Sequence, residues 1–226
     1  SSTPYGTLQD AVDAATAGDT LTILAPLAIS SMPVRIDKAL TLRADDPAFV
    51  VTRASPDRTN VNTVQRAIEI AADVRFENIV LGDDADPWAR AFVHVLPGAT
   101  LTLGAGAVIR NVRGTSLLRE GTKEPIGRSA AGILAEGKLV MESGSKIFNC
   151  TNDFGESAGG GVLVSGERAF FDFRGGIVTG CSAHRGGGVF VEKQAGAAVS
   201  GAGQIIGNAN GNLYMAAESP LEITGV

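Results

Sequence analysis

Aromatic side chains are scarce in this chain: Phe, Tyr and Trp make up 5% of 226 residues, with one Trp and two Tyr. Set beside 29 Gly, so little ring surface argues against helix packing and for thin core layers joined by many tight corners. Helical periodicity fades after residue 17, which excludes a helical bundle. There are only two Cys, 31 positions apart, with neither metal spacing nor a disulfide framework, and only two His, far apart in sequence. Basic residues are outnumbered 19 to 24, a net charge of −5, which argues against nucleic acid or an anionic membrane as a partner. No stretch approaches the roughly 20 apolar residues of a membrane span. The Gly clusters precede strand-like runs rather than helices, so no phosphate loop or dinucleotide fingerprint is present. The chain does not open with Met, and we read it as an excised or mature piece of a longer protein.

What is present is repetition. Between Gly159 and Asn208 the string GGGVLV, the run FFDF and the string GGIVTGCSA are followed, after His184 and Arg185, by GGGVFV. Gly159 to Gly186 is 27 residues, and so is Cys181 to Asn208. A fixed period of this size marks stacked units, because one unit cannot bury its own apolar face and needs a neighbour to do so. Three short apolar runs separated by Gly corners outline one coil of a parallel β-helix. The expectation is an all-β, right-handed, single-stranded parallel β-helix of about 7 coils, forming one domain over 1–226. Residues 1–18 make a capping helix and 19–226 the coils.

The cap is readable. Thr7-Leu8-Gln9-Asp10 is a capping-box pattern, Leu8, Ala11, Val12 and Ala15 follow at helical spacing, and Gly18 offers a stop. Such a helix would cover an apolar layer and a sheet edge at the open end of the solenoid. Leu21 to Leu24 and Leu40 to Leu42 then read as strands of the first coils. Asn78, Asn111, Cys150, Cys181 and Asn208 read as one corner of successive coils, at spacings of 33, 39, 31 and 27. At that corner a thiol is a small core hydrophobe replacing an Asn amide; a Cys150–Cys181 disulfide between adjacent coils is the alternative that the strand spacing permits.

In the strand that opens each copy, Val93-His94-Val95, Ile133-Leu134-Ala135, Val162-Leu163-Val164, Val189-Phe190-Val191 and Leu213-Tyr214-Met215 align. Alternation then puts His94, Leu134, Leu163, Phe190 and Tyr214 in one outward column. An outward row this apolar reads as a binding strip; the competing reading is that loops or a partner cover it. Two polar connections carry further candidates. Gly82 to Arg90 holds Asp83, Asp84 and Asp86, which could begin the oxygen set of a calcium ion, and Trp88, whose indole could stack on a sugar. A solvated acidic turn with Trp88 folded over the barrel is the alternative. The 112–129 connection is mixed in charge and reads as a solvated loop, and His184 as an exposed loop residue.

The opening YGTLQDAVDAATAGDTLTI and the GGGV repeats resemble the right-handed parallel β-helix, or pectin-lyase-like, superfamily, most nearly its bacterial secreted and cell-surface adhesin-like members. The resemblance covers essentially the whole chain, and its motifs specify corners and core rather than one activity. It implies a secreted or cell-surface location. It also implies where an enzyme of the superfamily would work, on the outward face of the strand that carries His94. The Gly-His-Gly and Arg-x-Lys strings of polygalacturonase-like sites are absent. Pectate-lyase-like sites need Asp ligands for calcium and an Arg base, and the column offers His94 and then apolar residues. Phe171-Asp172-Phe173 has a passing likeness to a pectin-methylesterase string, but alignment puts Asp172 outward in a second sheet, in a row with Glu69 and Thr102.

The reading is therefore a non-catalytic secreted or surface module presenting a binding face to a glycan or protein ligand through Trp88, His94, Leu134, Leu163, Phe190 and Tyr214, with no cofactor other than that calcium ion. Its rivals are a polysaccharide lyase, esterase or glycosidase, and a purely structural stalk. Two or more carboxylates and a base converging within about 5 Å in an open groove would favour the enzyme. Asn212 to Met215 and Pro220 to Thr224 begin a coil that nothing closes, so further coils or domains after Val226, or another chain, are expected over that end.

Overall fold

A computed structural model describes residues 4–54, 66–84, 91–114, 130–152 and 157–225; of Asp84 it describes the backbone alone. The chain winds through three all-parallel sheets of eight, seven and seven strands, visited in rotation, with the short strand Thr151–Asn152 added beside the second, where it pairs with Arg113 and Gly114. The first sheet starts at Thr20–Ile23, the second at Leu27–Ile29 and the third at Val34–Ile36, and each later coil adds one strand to each sheet. With the right-handed sense that parallel crossovers take, this is a right-handed parallel β-helix of seven coils, with Leu221–Thr224 beginning another.

The lid forms as its sequence dictates. The helix Leu8–Ala14 begins at Thr7, whose hydroxyl accepts from the Asp10 amide at 3.1 Å, and Leu8 and Val12 are buried in the core. Three carbonyls at its C-terminal end, of Val12, Asp13 and Ala15, accept hydrogen bonds from the Lys38 ammonium at 2.8–3.0 Å. Gln9 pairs with the backbone of Arg35, accepting from its amide at 2.8 Å and donating to its carbonyl at 3.3 Å. One amide side chain thus stands in for the missing neighbour strand at the free edge of Val34–Ile36.

Inside, the first and third sheets each contribute two stacked rows. In the first sheet Leu42, Phe76, Leu103, Met141 and Phe173 form one, and Leu40, Val74, Leu101, Leu139 and Phe171 the other; all are buried. In the third sheet the rows run from Val34 to Leu213 and from Ile36 to Met215. Fully burying such a side chain contributes about 1.5–3 kcal/mol, so the repeated rows are what hold coil on coil.

The glycines of the repeat are required by how closely coils approach. A Cβ on Gly161 would lie 2.6 Å from the Gly188 carbonyl oxygen of the next coil, and one on Gly132 would lie 2.5 Å from that of Gly161. The corner register needs a correction. Cys150, Cys181 and Asn208 do stack in one position, continuing back to Val112, but Asn111 sits one residue earlier and Asn78 belongs to the preceding corner, level with Gly106. The residues level with Asn111 are Asp83, Asn149, Gly180 and Gly207, all left-handed, with φ between 49° and 65°. Asn adopts this conformation at either end of a second-sheet strand, so its recurrence marks two corners at once.

The two thiols are free and buried. Cys181 Sγ donates to the Thr179 carbonyl at 3.4 Å, the same two-residues-back bond that the Asn208 amide makes to Ile206 at 3.1 Å. The neighbouring Cys181 thiol and complete burial both push the Cys150 pKa up. Each thiol thus fills the place of a corner amide.

Candidate functional site

The strand alternation that fills the third sheet's interior also builds its outer column, which extends further than the sequence reading carried it: Arg35, Glu69, His94, Leu134, Leu163, Phe190 and Tyr214, in register. Glu69 belongs here. Asp172 lies in the first sheet's outer row with Thr102, Arg75 and Thr41, so the expected pairing of Glu69 with Asp172 does not occur.

The column is not an open strip. Leu134 is 1% exposed, Leu163 2% and Phe190 9%, and with Ala91 and Ala130 they form a second apolar cluster outside the solenoid, against which Ala158 packs. Only Tyr214 presents a large face to solvent, at 42% exposure, and its ring stacks on Phe190 with centroids 4.8 Å apart and planes 5° from parallel. Of the two readings of this row, the open strip is corrected for His94, Leu134, Leu163 and Phe190, which are buried, and the covered row is the one the structure shows there. The segments ahead of these strands supply small apolar residues that pack against the row.

At the other end of the column the side chains are charged. His94 is buried, and its Nε2 lies 2.7 Å from Glu136 Oε2, so Nε2–H donates to that carboxylate. Its Nδ1 faces Glu69 Oε1 at 3.8 Å without a hydrogen-bond partner. The same Glu69 oxygen meets Arg66 Nη1 at 3.4 Å, while the other Glu69 oxygen meets Arg35 Nη1 at 3.4 Å. Arg66 Nε is likewise buried without a partner. Burial pushes the His94 pKa down and the Arg66 charge pushes it the same way, outweighing the opposing pull of Glu136 and Glu69. The imidazole is therefore neutral at pH 7, with Nδ1 a bare acceptor. Two carboxylates and a base do converge here, but around an imidazole that is 2% exposed rather than in an open groove.

Other sequence candidates fall elsewhere. Asp83 holds a left-handed corner, and both of its oxygens are taken: Arg110 donates to them at 2.7–3.3 Å and Asn111 donates at 2.6 Å. The Arg110 hydrogen bonds keep its carboxyl below the usual range, and the guanidinium occupies the side a cation would approach. Asp86, Trp88 and the Asp84 side chain lie outside the described residues. Among the described residues no three His, Cys, Asp or Glu side chains are grouped to hold a metal ion. Asp172 is 9% exposed and paired with Arg174 at 2.6 Å and Lys138 at 3.0 Å. His184 is exposed. A groove of about 660 Å³, lined by Tyr5, Leu8, Leu21, Leu24 and Leu27, lies between the lid helix and the first coil rather than over His94.

Glu136 and Arg66 were missed from sequence. Glu136 directly follows Ala135, one position past the aligned strand, and Arg66 stands three residues ahead of Glu69. Extending the alignment by one residue past each strand would have placed Glu136 beside the column. The chain is thus a parallel β-helix with a charged cluster and an aromatic pair at opposite ends of one outer column, and comparison with protein-family models, curated proteins and solved structures finds no match. No described helix is long and apolar enough to cross a membrane.

Proposed function

We propose that the chain is a non-catalytic module of a secreted or cell-surface protein, of the adhesin-like kind within the pectin-lyase-like superfamily, whose third sheet presents its outward face to a glycan or protein ligand. The observation that carries the reading is the Phe190–Tyr214 pair. A ring held flat on a second, buried ring has lost little freedom to bind and offers an apolar face with a polar hydroxyl tip, a surface on which a sugar ring stacks. Tyr214 is the exposed apolar member of the column, and the buried Leu134, Leu163 and Phe190 behind it back that contact surface.

One observation favours a second reading, a glycoside-cleaving enzyme: Glu69 and Glu136 flank one imidazole, the type of group that moves protons in general acid–base work. Against it stand the burial of His94 and the saturation of Glu69 by two arginines. Incubation with a panel of neutral and acidic polysaccharides, followed by assays for unsaturated and reducing ends and for retention on insoluble polysaccharide, separates the two. Retention without product is the expected result. Product formation that Glu136→Gln abolishes would replace the module with the enzyme.

A further inference from the structure

The first sheet has a free edge at each end of the solenoid, and the two edges are complementary. At the lid end its outermost strand, Thr20–Ile23, pairs only with Leu40–Ala44. The Asp19 and Ile23 carbonyls accept from the Thr41 and Asp45 amides at 2.9 Å, so alternation turns the peptide groups of Thr20 and Thr22 the other way. They face the groove of about 660 Å³ beside the lid helix, whose walls include Tyr5, Leu8, Leu24 and Leu27. Among the described residues no side chain does for this strand what Gln9 does for Val34–Ile36. An unpaired strand edge beside apolar walls is chemistry that fits an extended polypeptide, which supplies the missing amides and carbonyls.

The chain carries such a strand itself. Leu221–Thr224 pairs only with Gly196–Ser200, and all four of its residues are exposed, Leu221 at 43% and Ile223 at 65%. The Ala197 amide donates to the Pro220 carbonyl at 3.0 Å, so alternation aims the peptide groups of Leu221 and Ile223 at the free edge. Ile223 is also the last member of the inner row that opens at Leu21 and passes through Leu42, Phe76, Leu103, Met141 and Phe173. A second copy stacked in that register sets Ile223 on Leu21, with the Ile223 amide toward the Thr20 carbonyl and its carbonyl toward the Thr22 amide. Strand direction agrees as well, because every pairing in the sheet is parallel. The lone strand enters the position above the first sheet that the lid helix, seated against Val34–Ile36, leaves open.

We propose that the groove beside the lid helix docks a second copy of this chain, whose Leu221–Thr224 strand adds in parallel to Thr20–Ile23. The contact is heterologous, so each added copy leaves one free end of either kind and the association propagates head to tail. It is independent of the third sheet's outward face. Exposed Asp10, Asp13 and Asp19 stand at one end and exposed Glu222 at the other, so screening by salt strengthens the association.

The test is sedimentation velocity of the whole chain over increasing concentration. The expected result is a sedimentation coefficient that keeps rising past the dimer and rises further with added salt. Thr22→Pro removes the outward amide while sparing the pairing with Leu40–Ala44, and should weaken self-association by about tenfold or more. Ile223→Asp, at a side chain already exposed in the single chain, should do the same from the other end. Each variant alone should then stay monomeric, and an equimolar mixture should form dimers and stop there, because one intact end remains on each. That mixture also shows that neither variant has lost its fold. Ile206→Asp, on the second sheet's outward face at 50% exposure, should associate like the wild type. A monomer at every concentration, association that Thr22→Pro and Ile223→Asp leave intact, a mixture that stays monomeric, or loss confined to Ile206→Asp would each overturn the proposal.

Discussion

Replacing Leu163 by Ala separates a covered column from an open one. Leu163 is 2% exposed and lies in register between Leu134 and Phe190, in a cluster of only five buried residues that includes Ala91 and Ala130. Two of those neighbours are already Ala and cannot grow into the space left behind. Removing a buried Leu side chain costs about 2.7–5 kcal/mol where the site cannot collapse. Because this cluster lies outside the barrel and can settle from one side, we place the loss near the low end, about 2–3 kcal/mol. Were the residue in an exposed strip, the change would be within about 0.5 kcal/mol. The assay is the urea midpoint with the slope compared between variants, since a solenoid can lose cooperativity between coils when one is weakened. Tyr214→Ala, at the exposed end of the same column, is the control and should cost far less. A Leu163→Ala loss under about 0.5 kcal/mol would refute the second core.

His94, neutral when folded because burial and Arg66 oppose its charge, should make the protein lose stability on acidification. Its folded pKa lies below the unfolded value of about 6.5, so the unfolded chain binds more protons as pH falls from 7.5 to 5.5 and the midpoint drops over that window, whereas His94→Gln flattens the curve; an unchanged pH profile in the variant would contradict this. Gly161→Ala forces a Cβ to 2.6 Å from a backbone oxygen and 3.1 Å from Val178, and should cost about 1–3 kcal/mol in thermal or chemical unfolding, while Gly6→Ala, with nothing within 4 Å, should be nearly silent. Cys150 and Cys181, buried side by side at one corner, should react with a thiol reagent only as fast as the protein unfolds, giving two equivalents in denaturant; rapid reaction of either in native buffer would contradict their packing.

The lid and the coils were legible because their causes are local. Thr7 caps, Lys38 and Gln9 aside, and the triplet glycines repeat because any Cβ there would strike the next coil. The corner register was only half legible: Cys150, Cys181 and Asn208 share a position, yet Asn78 and Asn111 were drawn into it because left-handed Asn serves two different corners. Of the site, alternation located His94 and the column through Tyr214. It could not say that Leu134 and Leu163 are buried, since the residues packing on them, Ala91, Ala130 and Ala158, stand ahead of the strands where no periodicity operates. Nor could it gather Glu69, Arg66 and Glu136 around His94, because the four come from three coils and Arg66 and Glu136 lie outside the strands, one ahead and one past.

Tyr214 and Ile206 are both exposed apolar residues of the last complete coil, 42% and 50%, on the third and second sheets respectively. Calorimetric titration of cellohexaose or maltohexaose into the wild-type chain, Tyr214→Ala and Ile206→Ala asks directly whether the third sheet is the binding face. The prediction is that Tyr214→Ala weakens binding by about tenfold, in keeping with the loss of an aromatic contact, while Ile206→Ala leaves it unchanged. Equal affinity in all three, or a loss confined to Ile206→Ala, would contradict it.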